Sequence, residues 1–324
     1  MKAVTRIKYG NPEVLSVQDV PTPTPREREI LVRVHNTTVN RTDCGILTAS
    51  PFIMRFFTGL FKPKRSIPGT DFAGEVAMVG ARVTQFEAGD RVWGLNDEGL
   101  SSQAQYLAIE ENGPVIPIPD HVSFEDAVAC AEGGHYAFNF LNKVELPPDS
   151  KVLVNGATGA IGSSALQQLK SRDLYVTAVG NTKNLGLLNQ LGADRVLNFE
   201  EGDFTEVDDD KYDFIFDAVG KSSFGKCKRL LKANGVYISS ELGPGAQNLY
   251  LPFFTKFRGG KRVIFPIPLN PKRSLLHLKG LMEKGELQAV IDRRYKPDEI
   301  ANAYRYVMKG QKTGSVTIDF SFDD

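Results

Sequence analysis

Residues 151–170 read KVLVNGATGAIGSSALQQLK, and this stretch decides the fold. Val152, Leu153 and Val154 form a short apolar run suited to a buried parallel strand. Gly156, Gly159 and Gly162 follow at a spacing of three, and Ile161, Ala165, Leu166 and Leu169 then recur at helical spacing. Strand, glycine turn and helix are the context in which a glycine fingerprint holds a dinucleotide. Gly156 suits a tight turn, Gly159 leaves no Cβ between backbone and pyrophosphate, and Gly162 lets the helix pack closely on the strand. The helix start then presents unpaired N–H groups and a positive dipole end to the phosphates. The spacing is G-x-x-G-x-x-G rather than G-x-G-x-x-G, so the argument leans on the legible strand and helix. A bare strand–helix turn without a ligand is the alternative.

The 324 residues are 41% hydrophobic and 24% charged, an ordinary composition with apolar material for two cores. Lysine plus arginine equals aspartate plus glutamate, without the basic excess of a nucleic-acid binder. Cys44, Cys130 and Cys227 are scattered, form no C-x-x-C pair and suit a reducing cytoplasm. The opening MKAVTRIKYG lacks the apolar core of a signal peptide, and no apolar run approaches the roughly 18 residues of a membrane helix. The expectation is therefore a cytoplasmic chain with no nucleic-acid or membrane partner.

Residues 1–124 read as β-rich: short runs such as EILVRVHNTTV, GEVAMVG, DRVWGLN and SQAQYLAIE are broken by Gly, Pro, Asn and Asp. Residues 45–65 interrupt the pattern with Phe52, Ile53, Met54, Phe56, Phe57, Leu60 and Phe61. A lid over a pocket is one reading; core packing is the expectation for most of these aromatics. From about 125 the character changes. Ser123 as N-cap with Glu125 and Asp126 in the first turn opens a long helical pattern. Strand runs near 152–155, 174–179, 195–198, 213–217, 236–240 and 262–265 then alternate with helical stretches at 161–170, 183–191 and 222–232, predicting a parallel, doubly wound sheet. After Pro266 come two helical stretches and a closing strand, GSVTIDF, which suggest that the tail rejoins the first domain.

In a sheet of this type the end of the second strand meets the adenine ribose. An acid there holds the 2′-hydroxyl of NAD, whereas a basic or small polar pocket accepts the 2′-phosphate of NADP. The second strand ends at Val179, and Gly180, Asn181, Thr182 and Lys183 follow. No Asp or Glu lies between Leu174 and Ala193, and Lys183 supplies a cation, so NADPH is expected over NADH. A solvated helix lysine is the alternative for Lys183.

Several segments now fit one family. IPGTDFAGEV, VTQFEAGDRVWG, NGATGAIGSSALQQLK, LGADRVLNF, YDFIFDAVG, LLKANGVYISS and the tail GELQAVIDRRY with GQKTGSVTI resemble the medium-chain dehydrogenase/reductase superfamily over nearly the whole chain. The likeness is closest to its zinc-free quinone oxidoreductase and enone reductase branch. It implies an α/β fold: a GroES-like β-rich domain from residues 1–124 and 266–324, which carries the substrate, and a Rossmann NAD(P)-binding domain from 125–265. Zinc alcohol dehydrogenases resemble the chain at C-R-T-D and G-H-E, but these slots read Asn40-Arg41-Thr42-Asp43 and Gly69-Thr70-Asp71, with the third cysteine slot near Cys130-Ala131. An amide, a hydroxyl and one thiol are a poor zinc shell, so no metal is expected. In the tail, Ser315 stands where some relatives have a lysine near the cofactor.

The resemblance places Thr158, Gly159, Ala160 and Ile161 on the pyrophosphate, and Gly180, Asn181 and Lys183 around the 2′-phosphate. Asp217, Ala218, Val219, Ser239 and Ser240 come at strand ends, and Phe265 and Ile267 beside the nicotinamide. Without zinc, hydride transfer suits a small apolar carbonyl compound conjugated to a double bond, or a quinone, whose developing charge spreads onto oxygen. Asn40 is a candidate hydrogen-bond donor to that oxygen, with a turn-stabilising Asn as the alternative. Tyr136 is a second candidate, with a core aromatic as its alternative. His135 reads as a structural histidine, Asp43 as a loop brace and Cys44 as a buried hydrophobe. A zinc-free alcohol or ketone dehydrogenase and an NADPH-binding sensor with little turnover are the competing functions. Relatives are often homodimers joined through sheet edges, and the strand KRVIFPIP has its prolines beyond its core, which leaves such pairing open.

Overall fold

The computed structural model describes residues 1–52 and 54–321. Ile53, counted above in the aromatic stretch, lies outside them. The chain packs as two compact units. One comprises Met1–Glu132, Asn270–Glu283 and Gln288–Asp324, and the other Gly133–Leu269 and Lys284–Leu287.

The first unit is built on a seven-stranded sheet. Its central strand Glu29–Thr38 pairs antiparallel with Asp71–Val79, Tyr106–Glu110 and Ser315–Asp319. The tail thus returns to the opening sheet, where Thr317 lies opposite Thr38. Inward residues of these strands, among them Val32, Val34, Phe72, Leu107, Val316 and Ile318, share one core. The helix Ile300–Met308 closes that core with Ile300, Ala303, Tyr304 and Val307, one apolar face at helical spacing.

The second unit contains a six-stranded, wholly parallel sheet. Its spatial order is Arg195–Asn198, Tyr175–Gly180, Lys151–Asn155, Tyr212–Asp217, Leu231–Ser239, Arg262–Ile264. Numbered along the chain this is 3-2-1-4-5-6, the order of a dinucleotide-binding sheet, which reverses between the first and fourth strands. The buried apolar runs read from the sequence are these strands. The GroES-like unit and the Rossmann unit are therefore both present.

Three local expectations are corrected. The helical stretch expected over 222–232 is only Phe224–Cys227 and a 3-10 turn at Lys228–Leu230, and the next strand begins at Leu231. A helix not foreseen, Gln247–Arg258, occupies the segment before the last strand. The aromatics of the 45–65 stretch are not core residues: Phe52, Phe56, Phe57 and Phe61 are 63–90% exposed. That segment folds as a short helix, Met54–Thr58, whose five residues include none that is buried, so its apolar side chains have no interior to enter.

Candidate functional site

The dinucleotide loop follows from three glycines with three different constraints. Gly156 lies at φ +74°, and a Cβ there would meet Val219 Cβ at 2.7 Å. Gly162 sits in the helix Ala160–Lys170, and a Cβ would stand 2.2 Å from the Gly156 carbonyl oxygen. Gly159 is the helix N-cap in an extended conformation that any residue adopts, and its nearest neighbour would be 3.6 Å from an added Cβ. Nothing in the protein requires glycine at 159. An open cradle at a helix start, lined by unpaired N–H groups, is what a pyrophosphate would fill. The residues present therefore fit a dinucleotide.

Of the other sequence-predicted positions, Gly180 and Val219 lie against this loop. A Cβ on Gly180 would lie 3.1 Å from Thr158 Cγ2, so the end of the second strand approaches the loop closely. Across the switch point, the Ala218 N–H donates to the Asn155 carbonyl at 3.0 Å. Asp217 is buried, and its carboxylate accepts from Asn155 Nδ2 at 2.9 Å, Gly220 N at 2.9 Å, Ser222 N at 3.0 Å and the Tyr237 hydroxyl at 2.9 Å. Asp217 thus shapes the loop that presents Ala218 and Val219. Ser240 is held by its N–H on the Asp217 carbonyl at 3.1 Å, while Ser239 is buried and its Oγ accepts from Glu241 N at 3.2 Å. Phe265 is half-buried and Ile267 exposed, just beyond the last strand. Tyr136 is half-buried on the helix Phe124–Leu141, its ring edge-on to Phe140 at 6.1 Å and to the buried His135 at 5.7 Å.

The strand-end pocket differs from the expectation in one respect. No acid follows the second strand in sequence, but Glu200, from the end of the neighbouring strand, accepts the Thr182 N–H at 3.1 Å. Hydrogen bonds from the Thr182 side chain and N–H hold this carboxyl below its ordinary range. Lys183, next to Thr182 in sequence, is exposed. Sequence windows along one strand miss such an acid, because the sheet order brings the third strand's end next to the second.

In the first unit, Asn40 opens the helix Arg41–Thr48, and its N–H donates to Asp43 Oδ2 at 2.9 Å. Its amide nitrogen donates to Thr38 Oγ1 at 2.5 Å and to Asp71 Oδ2 at 3.1 Å. These contacts, with both acceptors on one side of the amide, brace Asn40 at the start of the helix. Asp71 also accepts from the Thr38 N–H at 2.8 Å, and burial raises its carboxyl to about 6. Asp43 is raised to about 8 by burial and by the nearby Asp71. Glu132, missed in the sequence, is buried and accepts from the Thr42 hydroxyl; burial lifts it well above its ordinary value. Thr70 donates weakly to Asp43, and burial pushes the Cys130 thiol up to about 12. An amide, a hydroxyl and a single thiol are a poor donor set for zinc. Among the described residues no group of three or more His, Cys, Asp or Glu sits where it could hold a metal ion. Ser315 is buried, and its hydroxyl donates to the Ala129 carbonyl at 2.8 Å.

A GroES-like sheet and a 3-2-1-4-5-6 parallel sheet with an open glycine cradle define a two-unit, dinucleotide-dependent oxidoreductase. The chain belongs to the medium-chain dehydrogenase/reductase superfamily, a family of oxidoreductases. Residues 26–120 match the alcohol dehydrogenase GroES-like domain, and residues 191–318 match a family described as zinc-binding dehydrogenase. Among the relatives is a chloroplast envelope quinone oxidoreductase homolog of Arabidopsis thaliana, 29% identical over 98% of both chains. An NADPH-dependent alkenal/one oxidoreductase of the same plant is 26% identical over 98% of this chain and 79% of its own. The quinone oxidoreductase of Coxiella burnetii superposes with a TM-score of 0.87 at 25% identity, covering 99% of each chain. Among the described residues no helix is long and apolar enough to cross a membrane.

Proposed function

We propose that this chain uses NADPH to reduce quinones or α,β-unsaturated carbonyl compounds, without a metal. The observation that carries the reading is Gly159, a position that the protein leaves open at a helix start while packing its two partner glycines tightly. The names of the relatives support the acceptor class. The nicotinamide, when bound, supplies a hydride at its C4. The loop Thr158–Ile161 holds the pyrophosphate, Gly180, Asn181 and Lys183 receive the adenine ribose, and Val219, Ser240 and Phe265 border the nicotinamide. Tyr136, on the helix Phe124–Leu141 of the same unit, is our candidate hydrogen-bond donor for the reduced acceptor. Without a Lewis acid a simple ketone is a poor acceptor, because its developing alkoxide keeps the charge on one oxygen with no conjugated system to share it.

The test is NADPH oxidation with 1,4-benzoquinone, 3-penten-2-one and cyclohexanone as acceptors. Turnover of the first two and not the third is expected. Turnover of the ketone alone sinks the acceptor assignment, and one equivalent of zinc in the purified active protein sinks the metal-free one. Two charges at the strand end act in opposite directions on the 2′-phosphate. Lys183→Ala is expected to weaken NADPH binding about tenfold. Glu200→Gln is expected to strengthen it about threefold by removing a like charge. NADH binding, followed by calorimetry, should move less than NADPH binding in both variants.

A further inference from the structure

The first unit contains a cavity of about 230 Å3 whose lining includes Arg6, Asp43, Ile46, Phe57, Lys64 and Arg65. It is smaller than the roughly 300–1,000 Å3 usual for a whole drug-sized ligand. Arg6 is only 3% exposed. Its Nη1 donates to the Ile46 carbonyl at 2.8 Å, its Nε has no partner, and its guanidinium lies 5.6 Å from the Tyr9 ring centroid. Among the described residues Arg6 makes no ion pair. A buried guanidinium without a counter-ion is costly, and a cation–π contact offsets only part of that cost. Asp43 borders the same space, but at neutral pH its raised carboxyl is largely protonated and brings little charge. Lys64 and Arg65 add two cations, against Glu98 as the second acid on the lining. Ile46, Phe57, Ile67 and Pro68 supply apolar wall.

We propose that this cavity binds the carboxylate of a small organic acid on the Arg6 guanidinium, with the acid's carbon skeleton against the apolar wall. The planar fork of arginine matches a carboxylate bidentately, and the missing countercharge is then provided by the ligand. The acid has two possible sources, the enzyme's own acceptor or a separate small effector. The first of these rests on the reductase reading above; the site itself does not.

The probe is crotonate, with crotonamide as its uncharged counterpart, titrated by calorimetry into the full chain. Saturable binding of crotonate, at least about tenfold tighter than crotonamide, is expected. Arg6→Met should weaken crotonate by about tenfold or more, with wild-type circular dichroism and a cooperative thermal melt as the check on folding. Should Arg6→Met fail to fold, the surface pair Lys64→Ala/Arg65→Ala carries the test, with an expected weakening of about threefold to tenfold. No saturable crotonate binding overturns the proposal. So does equal binding of crotonamide, or a folded Arg6→Met protein that binds crotonate as the wild type does. The source is read from turnover of 4-oxo-2-pentenoate and of uncharged 3-penten-2-one. A KM lower for the carboxylated acceptor, raised by Arg6→Met for it alone, assigns the carboxylate to the acceptor. Crotonate that changes 3-penten-2-one turnover without competing with it assigns the site to an effector. If neither acceptor is reduced while crotonate binds, the reductase reading fails and the carboxylate site stands.

Discussion

Gly159→Asp is expected to leave the protein as stable as wild type and to abolish dinucleotide binding. Position 159 is an N-cap with φ −77° and ψ 169°, where aspartate is at least as favourable as glycine. An added Cβ meets nothing closer than 3.6 Å, so the fold has no steric objection. The cradle does object. A carboxylate about 4 Å from a pyrophosphate charge costs several kcal/mol even at an effective dielectric constant of 20. A loss of at least about a hundredfold in NADPH and NADH affinity follows. Gly162→Ala provides the contrast, because its Cβ would press to 2.2 Å on the Gly156 carbonyl oxygen. That variant should lose about 1–3 kcal/mol of stability through overpacking, with binding falling alongside. Thermal melts and calorimetry on the two proteins separate the effects. Wild-type affinity in a folded Gly159→Asp protein shows that no phosphate passes this glycine.

The contrast also explains how far the sequence could be read. Gly156, Gly159 and Gly162 look alike in a string of letters. Flanking periodicity told where the strand and helix lie, which is local information carried by apolar spacing. Which glycine serves the fold and which is left open for a ligand depends on neighbours such as Val219, more than 60 residues away. The same limit explains Glu200. Its place beside Thr182 is fixed by the order of strands in the sheet, not by distance along the chain. Asn40 was legible as the odd residue in a ligand slot, but its engagement by Thr38 and Asp71 was not, because Asp71 arrives from an adjacent strand. The exposed phenylalanines of the 45–65 stretch show the opposite failure. Their composition suggests a core, but burial is decided by whether a packed partner face exists.

The carboxylates of the first unit make its stability depend on pH in an unusual direction. In the unfolded chain Asp43 and Asp71 titrate near 3.8; folded, they are raised to about 8 and about 6. Between about pH 4 and 6 the native protein holds two protons that the unfolded chain releases, and between about 6 and 8 it holds one. Where the native state binds more protons than the unfolded state, stability falls as pH rises, by at most about 1.4 kcal/mol per unit for each group. The contribution of these two groups is therefore fullest below pH 4 and is lost as pH climbs through 6 and then 8. Asp43→Asn removes the second stage and one of the two protons of the first. Its side-chain oxygen can still accept the Asn40 N–H, which Asp43 now accepts at 2.9 Å. The stability of the variant relative to the wild type should therefore rise by about 3–4 kcal/mol between pH 5 and pH 8. Urea unfolding of both proteins at pH 5, 6.5 and 8 measures that difference, and other titrating groups such as His35 largely cancel between them. A gap that is constant from pH 5 to 8 means that Asp43 is ionised throughout, and the buried proton is then not there.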